Sequence, residues 1–147
     1  AWNMNEITCM KEYRVIYIHT KTTQIAGSLS VFEGTHDLPF EIKRVYYIYG
    51  VPEGTQRGGH AHKSLSQLLF CPYGKVLLKL DNGTNKADVL LDAPDKGLLV
   101  TPGLWRDMLW LQDNSVLCVA ASDYYDESDY IRDYSEFISI YGGDHEG

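Results

Sequence analysis

Apolar and polar positions alternate over short distances from the start of the chain to about Cys118. Short runs rich in Val, Ile, Leu and Tyr are separated by Gly, Pro, Asn and Asp, which is typical of strands joined by tight turns. The clearest turn is Asp81-Asn82-Gly83, because Asn and Gly readily adopt the positive φ of a hairpin. We predict strands over residues 13–18, 28–33, 43–49, 67–72, 75–80, 87–91, 97–102 and 116–122.

The pattern becomes helical only near the C-terminus. Apolar side chains recur there at helical spacing with acidic residues between them, so we predict one short helix. Many strands and a single helix favour a sandwich or a closed barrel over alternating strands and helices. We predict one all-β domain over residues 1–147, with roughly ten N-terminal residues appended or flexible. The apolar helical positions are Tyr130, Ile131, Tyr134, Phe137, Ile138 and Tyr141.

Composition and charge exclude several classes of protein. The 147 residues are 44% apolar and 22% charged, as in an ordinary globular domain. No apolar run approaches the ~20 residues of a membrane span. The first residues lack the layout of a signal peptide, so we expect no membrane partner and a cytoplasmic location. The net charge of −7 disfavours nucleic acid as a partner.

The three cysteines show no spacing typical of a disulfide framework or a zinc site. We expect them to be small buried hydrophobic residues. They are Cys9, Cys71 and Cys118.

The stretch RGGHAHKSLSQLLFCPYG, residues 57–74, contains the most informative chemistry. His60 and His62 lie two residues apart, so on a strand both imidazoles project from one face. They can therefore act on one ligand.

These residues resemble the first motif of the cupin superfamily, a barrel fold. His60, His62, Gln67 and Gly74 fall on its His-x-His, Glu and Gly positions, with Gln67 in place of the metal-ligating Glu. The run GLLVTPGLWR, residues 97–106, is similar to the second motif, with Arg106 at the position of its His ligand. We predict an all-β cupin with a short C-terminal helix.

The donor set does not suit a metal. A metal-binding cupin presents three His and a carboxylate, whereas this chain offers two His, an amide and a permanent cation. We therefore predict neither metal nor cofactor. Two imidazoles with ordinary pKa values near 6.5 are instead suited to moving protons at neutral pH.

Longer runs resemble the sugar 3,4-ketoisomerases that act on dTDP-4-keto-6-deoxyglucose. They are DLPFEIKRVYYIYG, RGGHAHKSLSQLLFCPYGKVLLKLDNG, PGLWRDM and VLCVAASDYYDESDYIRDYSEF. The resemblance implies a metal-free homodimer that moves the ketone from C4 to C3 through an enediol. It also implies a thymidine-diphosphate-linked 4-keto-6-deoxy sugar as substrate and 3-amino-3,6-dideoxy sugars of surface polysaccharides, such as lipopolysaccharide, as the destination.

The catalytic candidates are His60 and His62. The resemblance makes His60 the first choice for the proton shuttle, while His62 either shares that work or orients the substrate. Arginine and lysine side chains can neutralise the diphosphate or an enediolate. Tyr46 shares a strand face with Arg44, and Trp105 is expected to form a pocket wall. The predicted substrate-binding residues are Arg44, Tyr46, Arg57, Lys63, Gln67, Trp105 and Arg106.

Three other functions remain open from the sequence. They are a metal-dependent cupin enzyme, which Gln67 and Arg106 argue against, a sugar 3,5-epimerase and a non-catalytic sugar-nucleotide binding module. The His-Asp and Tyr pattern of the epimerases is not evident in the sequence. Both configurations of the product at C4 remain open too, because Ala26 and Arg106 stand at positions that vary among the ketoisomerases.

Overall fold

The structure, a computed structural model, describes residues 10–142. The predicted N-terminal segment and Cys9 lie outside the described residues. The described residues form twelve strands and one α-helix, with a 3-10 turn at Glu127–Asp129. In chain order they are β1 (Tyr13–Tyr17), β2 (His19–Thr23), β3 (Gly27–Val31), β4 (Arg44–Ile48), β5 (Gln56–His62), β6 (Gln67–Tyr73), β7 (Val76–Asp81), β8 (Lys86–Leu91), β9 (Lys96–Val100), β10 (Trp105–Trp110), β11 (Val116–Ala121), β12 (Tyr130–Ile131) and α1 (Tyr134–Tyr141).

Two antiparallel sheets face each other. The first has the strand order β1-β9-β6-β11-β4 and the second β12-β5-β10-β7-β8, while β2 and β3 form a separate hairpin. The apolar core lies between the sheets and includes Leu78, Trp110, Leu117 and Val119. The predicted all-β fold with a short C-terminal helix is confirmed. Within residues 10–142, no helix is long and apolar enough to cross a membrane.

The eight predicted strands are present, but the pattern missed β2, β5, β10 and β12. The predicted helix is shorter than expected, since it begins at Tyr134. Tyr130 and Ile131 instead pair with His62 and Ala61 of β5. The Asp133 side chain accepts a hydrogen bond from the Ser135 N–H and so caps the helix at this point.

Helix α1 covers the outer face of the second sheet. Phe137 is fully buried there against Trp105, with ring centroids 5.6 Å apart, and shares a small apolar cluster with Ala61 and Ile131. The C-terminal segment therefore packs against the outer face of β5 and β10, whose other face lines the barrel.

Among the cysteines, Cys71 is buried and Cys118 half-buried.

Gly74, which matches the glycine of the first cupin motif, fills a position where no side chain fits. Its φ is +95°, and a Cβ would lie 2.0 Å from Ser115 Oγ and 2.8 Å from Ser115 Cα. The Ser115 hydroxyl accepts from the Lys75 N–H at 2.8 Å and donates to the Gln112 carbonyl at 2.9 Å. Ser115 therefore cannot move away without losing buried hydrogen bonds.

We predict that Gly74→Ala destabilises the fold more than Gly50→Ala does. Both positions have positive φ, but a Cβ at Gly50 meets no atom within 4 Å. Gly50→Ala adds backbone strain of about 1 kcal/mol, whereas Gly74→Ala adds overpacking of about 1–3 kcal/mol to that strain. Urea unfolding of both variants measures the difference. Equal losses of unfolding free energy would contradict the close packing against Ser115.

Candidate active site

Two imidazoles stand together on the inner face of β5. His62 is fully buried and His60 half-buried, and their ring centroids are 5.1 Å apart. The Tyr130 ring packs against both, 5.1 Å from the His60 ring and 4.4 Å from the His62 ring. As the spacing predicted, the two histidines project to one side.

A bulge at Gly58 and Gly59 brings a cation to the same face. The register between β5 and β10 shifts here, so that His60 pairs with Arg106 and Arg57 pairs with Met108. In a regular strand, Arg57 and His60 would lie on opposite faces, because they are three residues apart. The bulge adds one residue to β5, so the Arg57 side chain lies on the same face as His60. Gly58 has φ of +98°, and a Cβ on it would lie 2.9 Å from the Arg106 carbonyl oxygen. Glycine at this point thus allows β5 to approach β10 closely.

A fully buried guanidinium lies beside the histidines. Arg106 Nη1 donates to Gln67 Oε1, and Nη2 donates to the Leu104 carbonyl at 3.3 Å. The Gln67 amide in turn donates to the Tyr46 hydroxyl at 3.3 Å. Gln67 therefore serves here as a partner of a cation rather than of a metal ion.

An open cleft of about 320 Å³ leads to this cluster. Three arginines surround it, and only two of them were predicted from the sequence. His60 and Tyr46 form part of its wall, so cationic and proton-transferring groups share one cleft. Its lining residues are Arg44, Tyr46, Ile48, Arg57, Gly58, His60, Met108, Tyr130 and Arg132.

Two predicted site residues do not join the cluster. Trp105 precedes Arg106 on β10, and consecutive side chains on a strand point to opposite faces. Its ring therefore packs against Phe137 outside the barrel and lines a different pocket, with Asp81 and Tyr134. A role for Trp105 in substrate binding stays a prediction. Lys63 is exposed just beyond the end of β5 and does not line the cleft, so the structure does not bring it to the histidines.

The C-terminal segment supplies three site residues that the sequence did not reveal. In the sequence, Asp129 is one of the acidic residues between the apolar positions of the predicted helix, but in the structure it lies 3.0 Å from His62 Nδ1. Arg132 stacks on Tyr130, 4.1 Å from the ring centroid, and donates to Glu127 at 2.7 and 3.0 Å. The only signal was the density of charged and aromatic residues, because the partners of Asp129 and Tyr130 lie on a distant strand.

Both histidines are held neutral. Burial, helped by the positive charge of Arg106, lowers the pKa of His60 to about 3 and that of His62 to about 4. Burial also lowers the pKa of Arg106 to about 10, which leaves it charged at neutral pH. Partial burial acts to raise the pKa of Asp129, but hydrogen bonds from Ser64 and His62 outweigh this and lower it. The site thus holds two neutral bases, one cation and one carboxylate.

The donor set fits a divalent metal poorly. No three His, Cys, Asp or Glu side chains converge anywhere in the part of the chain that the structure describes. The ligand positions of the cupin motifs hold the Gln67 amide and the Arg106 guanidinium, and a guanidinium repels a cation. The reactive groups of this site are therefore its own side chains.

The fold and the site define the class of protein as a cupin whose inner face presents an imidazole pair and a buried arginine. Residues 11–142 match the family model described as "FdtA: WxcM-like, C-terminal". The chain belongs to this family. It is also 46% identical over 111 residues to the TDP-4-oxo-6-deoxy-alpha-D-glucose-3,4-oxoisomerase of Aneurinibacillus thermoaerophilus, covering 76% of this chain and 80% of that protein.

Solved structures agree with this assignment. A histidine variant of the 3,4-ketoisomerase QdtA from Thermoanaerobacterium thermosaccharolyticum, in complex with TDP-4-keto-6-deoxyglucose, has a TM-score of 0.86 and 38% identity, covering 90% of this chain and 95% of that one. The WlaRB TDP-quinovose 3,4-ketoisomerase from Campylobacter jejuni has a TM-score of 0.84 and 38% identity, covering 88% and 99%. NovW, a 4-keto-6-deoxy sugar epimerase from Streptomyces spheroides, shares the fold alone, with a TM-score of 0.72 and 15% identity over 84% of this chain and 69% of that one.

The low pKa values of the histidines predict that the free energy of unfolding decreases as the pH falls from about 6.5 to about 4. In this pH window the two histidines bind protons in the unfolded chain but stay neutral in the folded protein, so a lower pH favours unfolding. Urea unfolding at several pH values measures the slope, which His62→Gln should reduce. Titration of the His60 or His62 NMR signals above pH 6 in the folded protein would contradict this account.

Proposed function

We propose that this protein is a sugar 3,4-ketoisomerase that moves the ketone of dTDP-4-keto-6-deoxyglucose from C4 to C3. The three relatives described above at 38% identity or more are ketoisomerases, and all three are named with TDP-linked sugars. The observation that supports the proposal best is the pair of neutral imidazoles, His60 and His62, on one face beside the buried cation Arg106. This arrangement suits proton transfer next to a developing negative charge.

The reaction needs no external oxidant. An imidazole takes the proton from C3, the C3–H electron pair forms the C3–C4 double bond, and the C4 carbonyl oxygen becomes an enediolate oxygen. The C3 hydroxyl gives its proton to the C4 oxygen, directly or through an imidazole, and a proton returns to carbon C4 as the C3 ketone forms. One carbon is oxidised and its neighbour reduced, so atoms and electrons balance. The positive charge of Arg106 stabilises the enediolate, because little water competes in this buried position.

The cleft suits a nucleoside diphosphate. Arg44, Arg57 and Arg132 line it, and guanidinium groups bind phosphate oxygens through paired N–H donors. The aromatic rings of Tyr46 and Tyr130 offer apolar surface in the same cleft. His60 is at the wall of the cleft, which supports its choice as the proton shuttle. The acidic net charge of the chain is therefore compatible with an anionic substrate.

An epimerase is the second candidate, because the structure does contain a His62–Asp129 pair that was not evident in the sequence. Epimerisation would invert C5 or C3 without moving the ketone. The position at which solvent hydrogen enters the sugar separates the two reactions.

We predict that the protein, incubated with dTDP-4-keto-6-deoxyglucose in deuterated water, yields the 3-keto isomer with deuterium at C4. His60→Asn should slow this reaction by at least ~10²-fold, which is typical for a lost acid–base catalyst. His62→Asn should impair it too, because both rings share one face. NMR of the product reports the position of the ketone and the configuration at C4.

His36→Asn is the matched control, since His36 is exposed and outside the cleft. It should leave the rate unchanged. Deuterium at C5 with inversion there would replace the ketoisomerase with an epimerase. If the protein binds the sugar nucleotide but leaves the sugar unchanged, it is a binding module instead.

We also propose that the protein is a homodimer. The hairpin of β2 and β3 pairs with no other strand among the described residues, and an isolated hairpin is marginal in water. Its apolar side chains are exposed, with Ile25 99% and Leu29 63% accessible. Tyr47 and Tyr49 on the outer side of the first sheet are exposed as well. A second copy would cover these surfaces.

The cytoplasmic location, the extent of the domain and the role in surface polysaccharides stay predictions.

We expect sedimentation at micromolar concentration to give a dimer. Leu29→Lys should weaken the dimer by replacing an exposed apolar side chain with a second positive charge beside its cross-strand partner Lys21. Ser30→Lys is the matched control, because Ser30 points to the opposite, hydroxyl-rich face, where it is hydrogen-bonded to Thr20. A wild-type monomer, or equal dissociation of the two variants, would contradict the proposed interface.

A further inference from the structure

A second cleft lies on the outer face of the second sheet, and it shares no lining residue with the cleft at the histidines. Its volume of about 540 Å³ is within the range of ~300–1,000 Å³ that is typical of small-molecule sites. Strands β7, β8 and β10 form its floor, and Tyr134 at the start of α1 forms one side. We call it the outer cleft. The floor residues, two on each strand, are Lys79, Asp81, Lys86, Asp88, Trp105 and Asp107.

Charges of opposite sign alternate across this floor. In one row, Lys79 lies between Asp107 on one neighbouring strand and Asp88 on the other. In the next row, Asp81 lies opposite Lys86. Residues two apart on a strand share a face, so both rows project into the outer cleft. The cleft therefore presents hydrogen-bond donors and acceptors side by side.

These charged side chains are not occupied by one another. Among residues 10–142, neither Lys79 nor Lys86 has a carboxylate oxygen within 4.0 Å. Asp88 and Asp107 accept no hydrogen bond from any residue in this range. Two ammonium groups and two carboxylates therefore keep their hydrogen-bonding capacity for a ligand.

An aromatic wall closes one end of the outer cleft. Trp105 is only 8% exposed, yet its indole N–H donates to no acceptor within residues 10–142. The indole nitrogen is not fully enclosed, so this unused donor opens to the cleft that the ring lines. Tyr134 is held beside the indole, because its hydroxyl donates to Asp81 at 2.5 Å and the two rings meet edge to face at 5.2 Å. A nearly buried donor without an acceptor is uncommon in proteins and indicates a missing partner.

We propose that the outer cleft is a second binding site, which takes a neutral sugar ring. A hydroxyl group both donates and accepts, so ring hydroxyls can accept from Lys79 and donate to Asp88 or Asp107. The C–H groups of the ring can pack against the aromatic wall. An anion would be repelled by the carboxylates of the floor and a cation by its lysines, whereas a neutral polyol is repelled by neither.

The two clefts therefore differ in the chemistry they offer. The cleft at the histidines is lined by three arginines and suits a diphosphate, while the outer cleft mixes both signs of charge. They lie on opposite faces of β10, since Arg106 faces the histidines and Trp105 faces α1. Binding in the outer cleft does not depend on the proposed ketoisomerase function.

NMR of nitrogen-labelled protein, titrated with the methyl glycosides of glucose, galactose and mannose, tests the proposal. At least one glycoside should shift the Trp105 indole signal with a Kd of about 1 mM, as expected for a ligand of this size. The Trp110 indole is the internal control, because it is fully buried and donates to the Ser115 carbonyl at 2.8 Å. Its signal should not move. Glucuronate should bind more weakly than the neutral glycosides.

Maltotriose distinguishes the source of the sugar. Tighter binding of maltotriose than of methyl glucoside would assign the outer cleft to a glycan chain, and equal binding would assign it to a single sugar. Both results support a site for a neutral sugar.

Lys79→Ala should weaken binding of the glycoside at least about tenfold, because a hydrogen bond from a charged donor is lost at the centre of the floor. Lys75→Ala is the matched control, since Lys75 is also exposed and precedes the same strand but does not line the outer cleft. Its affinity should equal that of the wild type. Thymidine diphosphate should not displace the glycoside.

Four results would overturn the proposal. They are no shift of the Trp105 indole with any of the three glycosides, equal losses in the two lysine variants, displacement by thymidine diphosphate, and tighter binding of glucuronate than of the glycosides. The first would make the outer cleft an ordinary solvated surface. All of these measurements are made without turnover, so they are independent of whether the protein proves to be a ketoisomerase.

Discussion

The structure depends most on one buried charge, the guanidinium of Arg106. A buried cation is costly unless its donors are paired, and here Gln67 and the Leu104 carbonyl accept from it. Among residues 10–142, no carboxylate hydrogen-bonds to it, so none of them neutralises its positive charge directly. Burial and, after it, this charge lower the pKa of both histidines, and the charge remains available to an oxyanion. The residues that replaced metal ligands therefore supply the electrostatic stabilisation that a metal gives elsewhere.

The packing around β5 and β10 keeps this charge beside the histidines. The bulge at Gly58 and Gly59 turns Arg57 to the inner face, and the pairing of His60 with Arg106 fixes the two rings against the cation. On the outer face, Trp105 and Phe137 pack together and hold the C-terminal segment. That segment returns to the site as β12, so the outer apolar cluster also determines where Asp129 and Tyr130 lie. Fold stability and site geometry are coupled here through the same short segment.

The sequence predicted those features that depend on local pattern. Alternation and turn residues gave the strands, and two histidines two apart had to share a face. Trp105 and Arg106 lie on opposite faces of β10 because adjacent strand residues point to opposite sides, so only Arg106 lies beside the histidines. Asp129 could not be found, since its partner His62 is 67 positions away and the pairing of β12 with β5 leaves no local signature. Arg57 reached the inner face only through a bulge, a feature that the alternation rule does not anticipate.

The most direct test of the central claim is a crystal structure of His60→Asn with dTDP-4-keto-6-deoxyglucose bound. The account predicts the diphosphate on the arginines of the cleft and the C4 oxygen directed towards Arg106. It also predicts C3 and C4 at about 3–3.5 Å from the side chains of residues 60 and 62, as in a near-attack geometry. A sugar bound outside the barrel, or with both carbons beyond the reach of these side chains, would contradict it.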